Sequence, residues 1–212
     1  MTSSSDLAAY TAAQLNSFFP DGNSVNAAQL CPSVDLAQQR LEYSLSRCVS
    51  GPTPSTLDVL HSDRYCMFLY LLSNSVYRQS QDTRLATKVF YLNKALHAFN
   101  CMYDAELPSI FLLIHVIGTV LGKAQYSDYL VVGQNCTVGA IRGEYPTFGQ
   151  RVILGAGASV IGKCQVGDDV MFAPGAQVLM RDIPSNSLVR PAGDVELRPY
   201  AGNAARTYFR LP

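Results

Sequence analysis

An apolar side chain returns every sixth residue between Ile114 and Ile183, and few backbones can accommodate that period. One run comprises Ile114, Val120, Tyr126, Val132 and Val138; a second comprises Phe148, Leu154, Val160, Val166, Phe172 and Val178. Gly or Ala often follows (Gly133, Gly139, Gly149, Gly155, Gly167, Ala173), and a small or β-branched residue tends to stand four places on (Cys136, Val152, Ala158, Cys164, Val170, Ala176). A helix repeats near 3.6 residues and a flat strand near 2. A six-residue unit reads instead as a short strand plus a corner, and such units stack into a parallel β-helix. No unit can bury its apolar residue alone, so the coils stack and the side chains form columns inside a prism. Between Val138 and Phe148 the rhythm is four residues too long, so residues 140–147 must leave the prism as a loop. Loops set on a rigid scaffold commonly carry function.

The first hundred residues are of another kind. Asp6 or Ser5 is placed to cap a helix from Leu7 to Phe19, which Pro20-Asp-Gly-Asn23 ends. A second helix is expected from Ser24 or Ser33 towards Arg47, with Pro32 as a break point. Gly51-Pro-Thr-Pro54 reads as a linker. Ser55 then opens a third helix, through Leu57, Leu60, Tyr65, Phe68, Leu71 and Leu72, to about Ser80. Asp82 caps a fourth, with Leu85, Val89, Phe90, Leu92 and Leu96 on a helical stripe. Pro108 marks the handover, and the coils end near Ile183-Pro184. The expected class is α+β: a helical domain over residues 1–105, a β-helix of about four coils over 106–188, and a tail over 189–212. Tyr208 and Phe209 in that tail are able to pack back on the body.

Composition narrows the function classes. Hydrophobic residues make up 48% of the chain and charged ones 15%, which belongs to a globular protein. The formal net charge is zero and no basic run occurs, so nucleic acid is not an expected partner. The six cysteines are scattered with no CxxC pair, and two of them occupy inward repeat positions, where they act as small hydrophobes. That usage fits a reducing cytoplasm. The start of the chain has neither the basic flank nor the apolar core of a signal peptide. Residues 110–122, the longest apolar stretch, are too few to span a bilayer and are interrupted by His115.

A helical block joined to hexapeptide coils resembles the serine acetyltransferases, members of the left-handed β-helix acyltransferases. The likeness is carried by Ile114-His-Val-Ile-Gly-Thr-Val-Leu-Gly122, similar to the family's Asp-His-x-x-Gly-x-Val-x-Gly. Gln134-Asn-Cys-Thr-Val-Gly139 and Leu154-Gly-Ala-Gly-Ala-Ser-Val-Ile-Gly162 match two further family segments. These last two are largely coil-building signals, and the first carries chemistry. The left-handed sense of the coil is what the resemblance implies, because the period alone does not give it.

The chain has three histidines, His61, His97 and His115. His115 follows inward Ile114, so strand alternation is expected to turn its ring outward. Moving an acyl group from a thioester to a hydroxyl needs a base near neutral pH, a task that suits imidazole. By resemblance His115 is that base. The family orients its histidine with a carboxylate in a segment reading Asp-x-His-Pro; Glu106-Leu-Pro108 is the nearest likeness, at shorter spacing, and Asp104 competes for the role. The resemblance further implies that Arg142 binds a carboxylate and that Asp63 or Asp58 binds an amine. Acetyl-CoA is the implied co-substrate, lying along backbone at Gly139, Ala140, Gly155, Ala156, Ala173 and Pro174, with Arg181 towards its phosphates. No metal is implied.

Two departures bear on the acceptor. Ile114 stands where the family has Asp, and Glu144-Tyr145-Pro146 stands where it has Arg-His-Pro, which puts Tyr145 at the acceptor position. The expectation is an acetyl-CoA-dependent O-acetyltransferase of serine O-acetyltransferase type, the alternative being a sugar O-acetyltransferase of surface-polysaccharide synthesis. A γ-type carbonic anhydrase would need three histidines on the coils, and the repeat region has one. An ice-binding β-helix would need Thr ladders, which are absent. A homotrimer or a dimer of trimers is expected. A cysteine synthase complex is not, because family members that dock there end in isoleucine and this sequence ends Phe209-Arg-Leu-Pro212.

Overall fold

The computed structural model describes residues 3–49, 57–191, 195–197 and 204–212. Helix α1 (Ser4–Phe18) is capped by Ser3, whose hydroxyl accepts from Asp6 N while the Asp6 carboxylate accepts from Ser3 N. The cap thus lies upstream of the two residues expected, because a capping box needs its acid three places inside the helix. Helix α2 (Ala27–Leu45) opens on a second such box, Asn26 with Gln29. Pro32 lies inside α2 without ending it, a correction to the expected break. Helix α3 (Ser62–Ser80) begins later than expected: Leu57 and Leu60 precede it, while the linker at 51–54 and Ser55 fall outside the described residues. Helix α4 (Thr83–His97) opens on Asp82, whose carboxylate accepts from Leu85 N.

Helix α3 is the centre of the helical half. Every residue from Tyr65 to Val76 is buried, which only a helix packed on several sides can sustain. Its polar members are satisfied: Ser73 Oγ donates to Tyr70 O, and Asn74 Nδ2 donates to Tyr103 O.

The second half is a parallel β-helix of about five turns, one more than the sequence rhythm indicates. One sheet stacks β1 (Asn100–Cys101), β3 (Val120–Leu121), β5 (Thr137–Gly139), β8 (Ser159–Ile161) and β11 (Gln177–Leu179) in that order. A second stacks β2 (Phe111–Leu113), β4 (Leu130–Val132), β7 (Ile153–Leu154), β10 (Met171–Phe172) and β12 (Ser187–Val189), closed by antiparallel β13 (Val195–Leu197). The third pairs β6 (Thr147–Phe148) with β9 (Gln165–Val166). Register puts Leu113, Val132, Leu154, Phe172 and Val189 in one inner column. Cys101, Leu121, Val138, Val160 and Val178 form another. Tyr126 stacks flat on Phe148 in the third, centroids 5.4 Å apart. The residues four places on, from Cys136 to Ala176, are all buried.

The rhythm fails at its start. Ile114 is only partly buried and Val120 is exposed, whereas Leu113 and Leu121 are the inward residues. The corner between those leucines is longer than its successors. It holds two positive-φ residues, His115 (φ 52°) and Gly118 (φ 74°), and turns Val116 and Thr119 inward instead. The coils also begin upstream of Pro108, since Asn100 already pairs with Val120, and run past Ile183 to Val189.

Two devices join the halves. Strand β2 is the edge of its sheet, and Ser44 of α2 covers it, its hydroxyl donating to Phe111 O (2.7 Å) and accepting from Phe111 N (3.0 Å). The tail returns as well: Phe209 is buried, packs edge-on against Tyr129 and bridges to Cys48.

Candidate active site

His115 lies just beyond β2, in the long corner, with 78% of its side chain exposed. It points outward as expected, but for a different reason. The corner residue, at φ 52°, faces away from the prism, and Ile117 N donates back to His115 O to hold the turn. Gly118 is required here. Its φ of 74° suits glycine, and a side chain on it would strike Asn135 Oδ1.

The carboxylate facing His115 is Asp63, in the first turn of α3: Asp63 Oδ2 stands 3.8 Å from His115 Nδ1. Asp63 itself is mostly buried, at 18% side-chain exposure, and the α3 N-terminus favours its negative charge. The same carboxylate raises the pKa of His97, at the end of α4, against the larger lowering that burial imposes. His97 escaped sequence reasoning, because its place beside Asp63 depends on how α3 packs on α4. Asp58 is committed elsewhere, accepting from Leu60 N.

Glu106, the expected orienting carboxylate, is not set at His115. Its Oε1 accepts from Asn74 Nδ2, and its Oε2 lies 3.7 Å from Arg78. Asp104 is likewise taken, with Oδ2 at 2.5 Å from Lys123 Nζ. The reason is packing. Tyr70 OH donates to Ala105 O and accepts from Leu107 N, which pins residues 105–107 to α3, away from the corner that carries His115.

The loop that leaves the prism is a tight hairpin. Ile141 and Glu144 exchange backbone hydrogen bonds around Arg142 (φ 52°) and Gly143 (φ 81°), the signature of a type I′ turn. Arg142 is exposed at its tip, and Glu144 pairs with Lys163 at 3.5 Å. The Tyr145 ring lies against Gly122, where any side chain would collide with it. The last glycine of the His115–Gly122 segment therefore makes room for the loop.

The residues expected to line a CoA groove occupy the two ends of one sheet. Gly139 ends β5 and Ala140 follows it, whereas Gly155-Ala156 and Ala173-Pro174 lie at the corners after β7 and β10. Coil stacking alone requires Gly155, since a side chain there would meet Phe172 O and Pro174 N. Gly139 has no such need: a side chain there would meet only the Ile161 methyl, at 4.0 Å, so space is open beside it. Arg181 is exposed beyond β11. Among the described residues no group of His, Cys, Asp and Glu could hold a metal ion, and no helix is long and apolar enough to cross a membrane.

No protein-family model matches the chain. A serine acetyltransferase of Synechococcus elongatus is 32% identical over 47% of this chain and 42% of its own length. One from Helicobacter pylori is 27% identical over 69% of this chain and 90% of its own. Against the first of these, the match therefore spans less than half of the relative. Among solved structures, a serine acetyltransferase of Vibrio cholerae covers 94% of this chain and 81% of its own, with a TM-score of 0.76 at 20% identity. Another, solved as a complex with CoA, has a TM-score of 0.70 at 16% identity. In sequence the chain is similar to serine acetyltransferases over part of its length, and in fold it shares their arrangement of N-terminal helices followed by a parallel β-helix.

Proposed function

We propose that the protein is an acetyl-CoA-dependent O-acetyltransferase of the serine acetyltransferase type, with His115 as general base. The observation that carries this reading is the approach of Asp63 Oδ2 to 3.8 Å from Nδ1 of the largely exposed His115 ring. A carboxylate facing one ring nitrogen supports the imidazolium formed when the other takes a proton. Nε2 removes the acceptor hydroxyl proton as the oxygen attacks the thioester carbonyl. Backbone N–H groups support the oxyanion, and its collapse expels CoA sulfur, which recovers the proton from His115. The edge at Gly139 and Ala140, with open space beside Gly139, is the proposed CoA edge, in keeping with the relative solved with CoA.

The names of the relatives favour serine as acceptor, with Arg142 and Tyr145 as its proposed contacts. Tyr145 in place of a family histidine, and Ile114 in place of an aspartate, keep a sugar hydroxyl as the second reading. Val120 and Leu179, large apolar side chains exposed on the outer face of the β3–β5–β8–β11 sheet, support a homotrimer.

The test is acetyl-CoA turnover, read as CoA release, against serine, other hydroxy amino acids and a panel of sugars. Serine is expected to lead, and His115→Asn is expected to fold normally and lose about two to four orders of magnitude. Near-normal turnover in that variant would remove His115 from the mechanism.

A further inference from the structure

Away from His115, a cavity of about 340 Å³ opens between α2, α3 and the segment 106–109 that leads into β2. Its charged lining is two guanidinium groups, Arg40 and Arg78, against the single carboxylate of Glu106.

Arg40 is held from behind. Its Nη1 donates to Asn74 Oδ1 (2.8 Å) and to Ser75 Oγ (3.1 Å), both on fully buried residues of α3. The Asn74 amide cannot flip, because its Nδ2 is engaged by Tyr103 O and Glu106 Oε1. The guanidinium is therefore fixed in plane, while its Nε and Nη2 have no hydrogen-bond partner among the described residues. No carboxylate comes within ion-pair distance of Arg40 there, and Glu106 makes only the long approach to Arg78. Burial, with Arg78 adding to it, lowers the Arg40 pKa below its ordinary value, so the charge is poorly compensated. A half-buried, immobilised guanidinium with a free two-donor edge is costly unless an anion completes it. Leu36, Leu71 and Leu107 give the cavity an apolar side, and Gln39, Tyr43 and Ser109 also line it.

We propose that this cavity binds a small organic carboxylate, its two oxygens on the Nε–Nη2 edge of Arg40 and its apolar body against Leu36, Leu71 and Leu107. A planar fork matches a carboxylate in a way a lysine would not, and the apolar walls favour an organic acid over an inorganic anion. The site is separate from the proposed active site and stands whether or not that reading holds.

Calorimetric titration of the full chain with isovalerate and benzoate tests it, with isovaleramide and inorganic phosphate as controls. Both acids are expected to bind saturably with dissociation constants of about 0.1–10 mM. The amide should not bind, and Arg40→Met should weaken the acids about tenfold or more. Arg40→Lys, which keeps the charge and loses the fork, should weaken them less, and it carries the test alone if Arg40→Met does not fold. Amide binding equal to that of the acid, affinity unchanged in both variants, phosphate binding without carboxylate binding, or no acid binding below about 50 mM would each overturn the proposal.

Discussion

His97 is the residue whose environment makes a pH dependence calculable in sign. Its Nδ1 donates to Asn93 Oδ1 at 2.8 Å, and the Asn93 amide is itself committed to Cys66 O. Burial lowers its pKa, outweighing the Asp63 carboxylate that pulls the other way. In the unfolded chain the ring titrates near pH 6.5. Below that value the unfolded state takes up a proton that the folded state resists, so stability is complete above about pH 6.5 and declines as pH falls through the lowered folded value. The thermal midpoint is therefore expected to drop between about pH 7 and about pH 5, and His97→Gln should flatten that part of the profile. An unchanged profile in the variant would assign the acid sensitivity elsewhere. At the same scale, Asp63→Asn should lower turnover and shift the pH–rate profile, whereas Glu106→Gln should leave that profile in place; equal shifts would return Glu106 to His115.

At the scale of elements, the coils depend on corners without side chains. Gly149, Gly167 and Ser185 stack at one corner. A side chain on Gly167 would meet Ser185 N at 2.5 Å and Ser185 Oγ at 2.4 Å. The obstacle is backbone, which cannot swing aside, so Gly167→Ala must spread two coils and is expected to cost about 1–3 kcal/mol in urea unfolding. Gly143, at the hairpin tip, presents the opposite case, with open space around it but a φ of 81°. Gly143→Ala meets only backbone strain, about 1–2 kcal/mol, confined to the loop that carries Arg142 and Tyr145. Its expected signature is reduced acceptor affinity with little change in the unfolding midpoint of the β-helix. A Gly167→Ala protein as stable as the parent would mean that the coils are more loosely stacked than this register requires.

At the scale of the whole molecule, the tail ties the two halves together. Val49 N donates to Tyr208 O, Arg210 N donates to Arg47 O, and Phe209 fills the space between Cys48 and Tyr129. Truncating that ring leaves a cavity at the seam, so Phe209→Ala is expected to cost about 3–5 kcal/mol and lower the thermal midpoint. The exposed apolar side chains of the β3–β5–β8–β11 face, with Leu179 at 63% exposure, underlie the proposed trimer. Sedimentation equilibrium should give a trimer or its double, and an active, stable monomer would refute it.

The β-helix was legible because its signal is repetitive: Leu154, Val160, Val166, Phe172 and Val178 each face the same inward requirement, so every unit repeats the evidence of the last. The helices were legible through Asp82 and their apolar stripes, since caps and periodicity are local. What the order of residues could not determine was whatever depends on two distant segments meeting. The first corner absorbed extra residues and moved the inward register from Ile114 to Leu113, a shift that only pairing with Val132 reveals. Glu106 lies close to His115 in the chain, yet the Tyr70 hydrogen bonds hold it in another cavity. Asp63, far from His115 in sequence, faces it because α3 is buried along most of its length and has one place to sit. Local pattern decides which elements form, and the packing of those elements decides which carboxylate reaches the histidine.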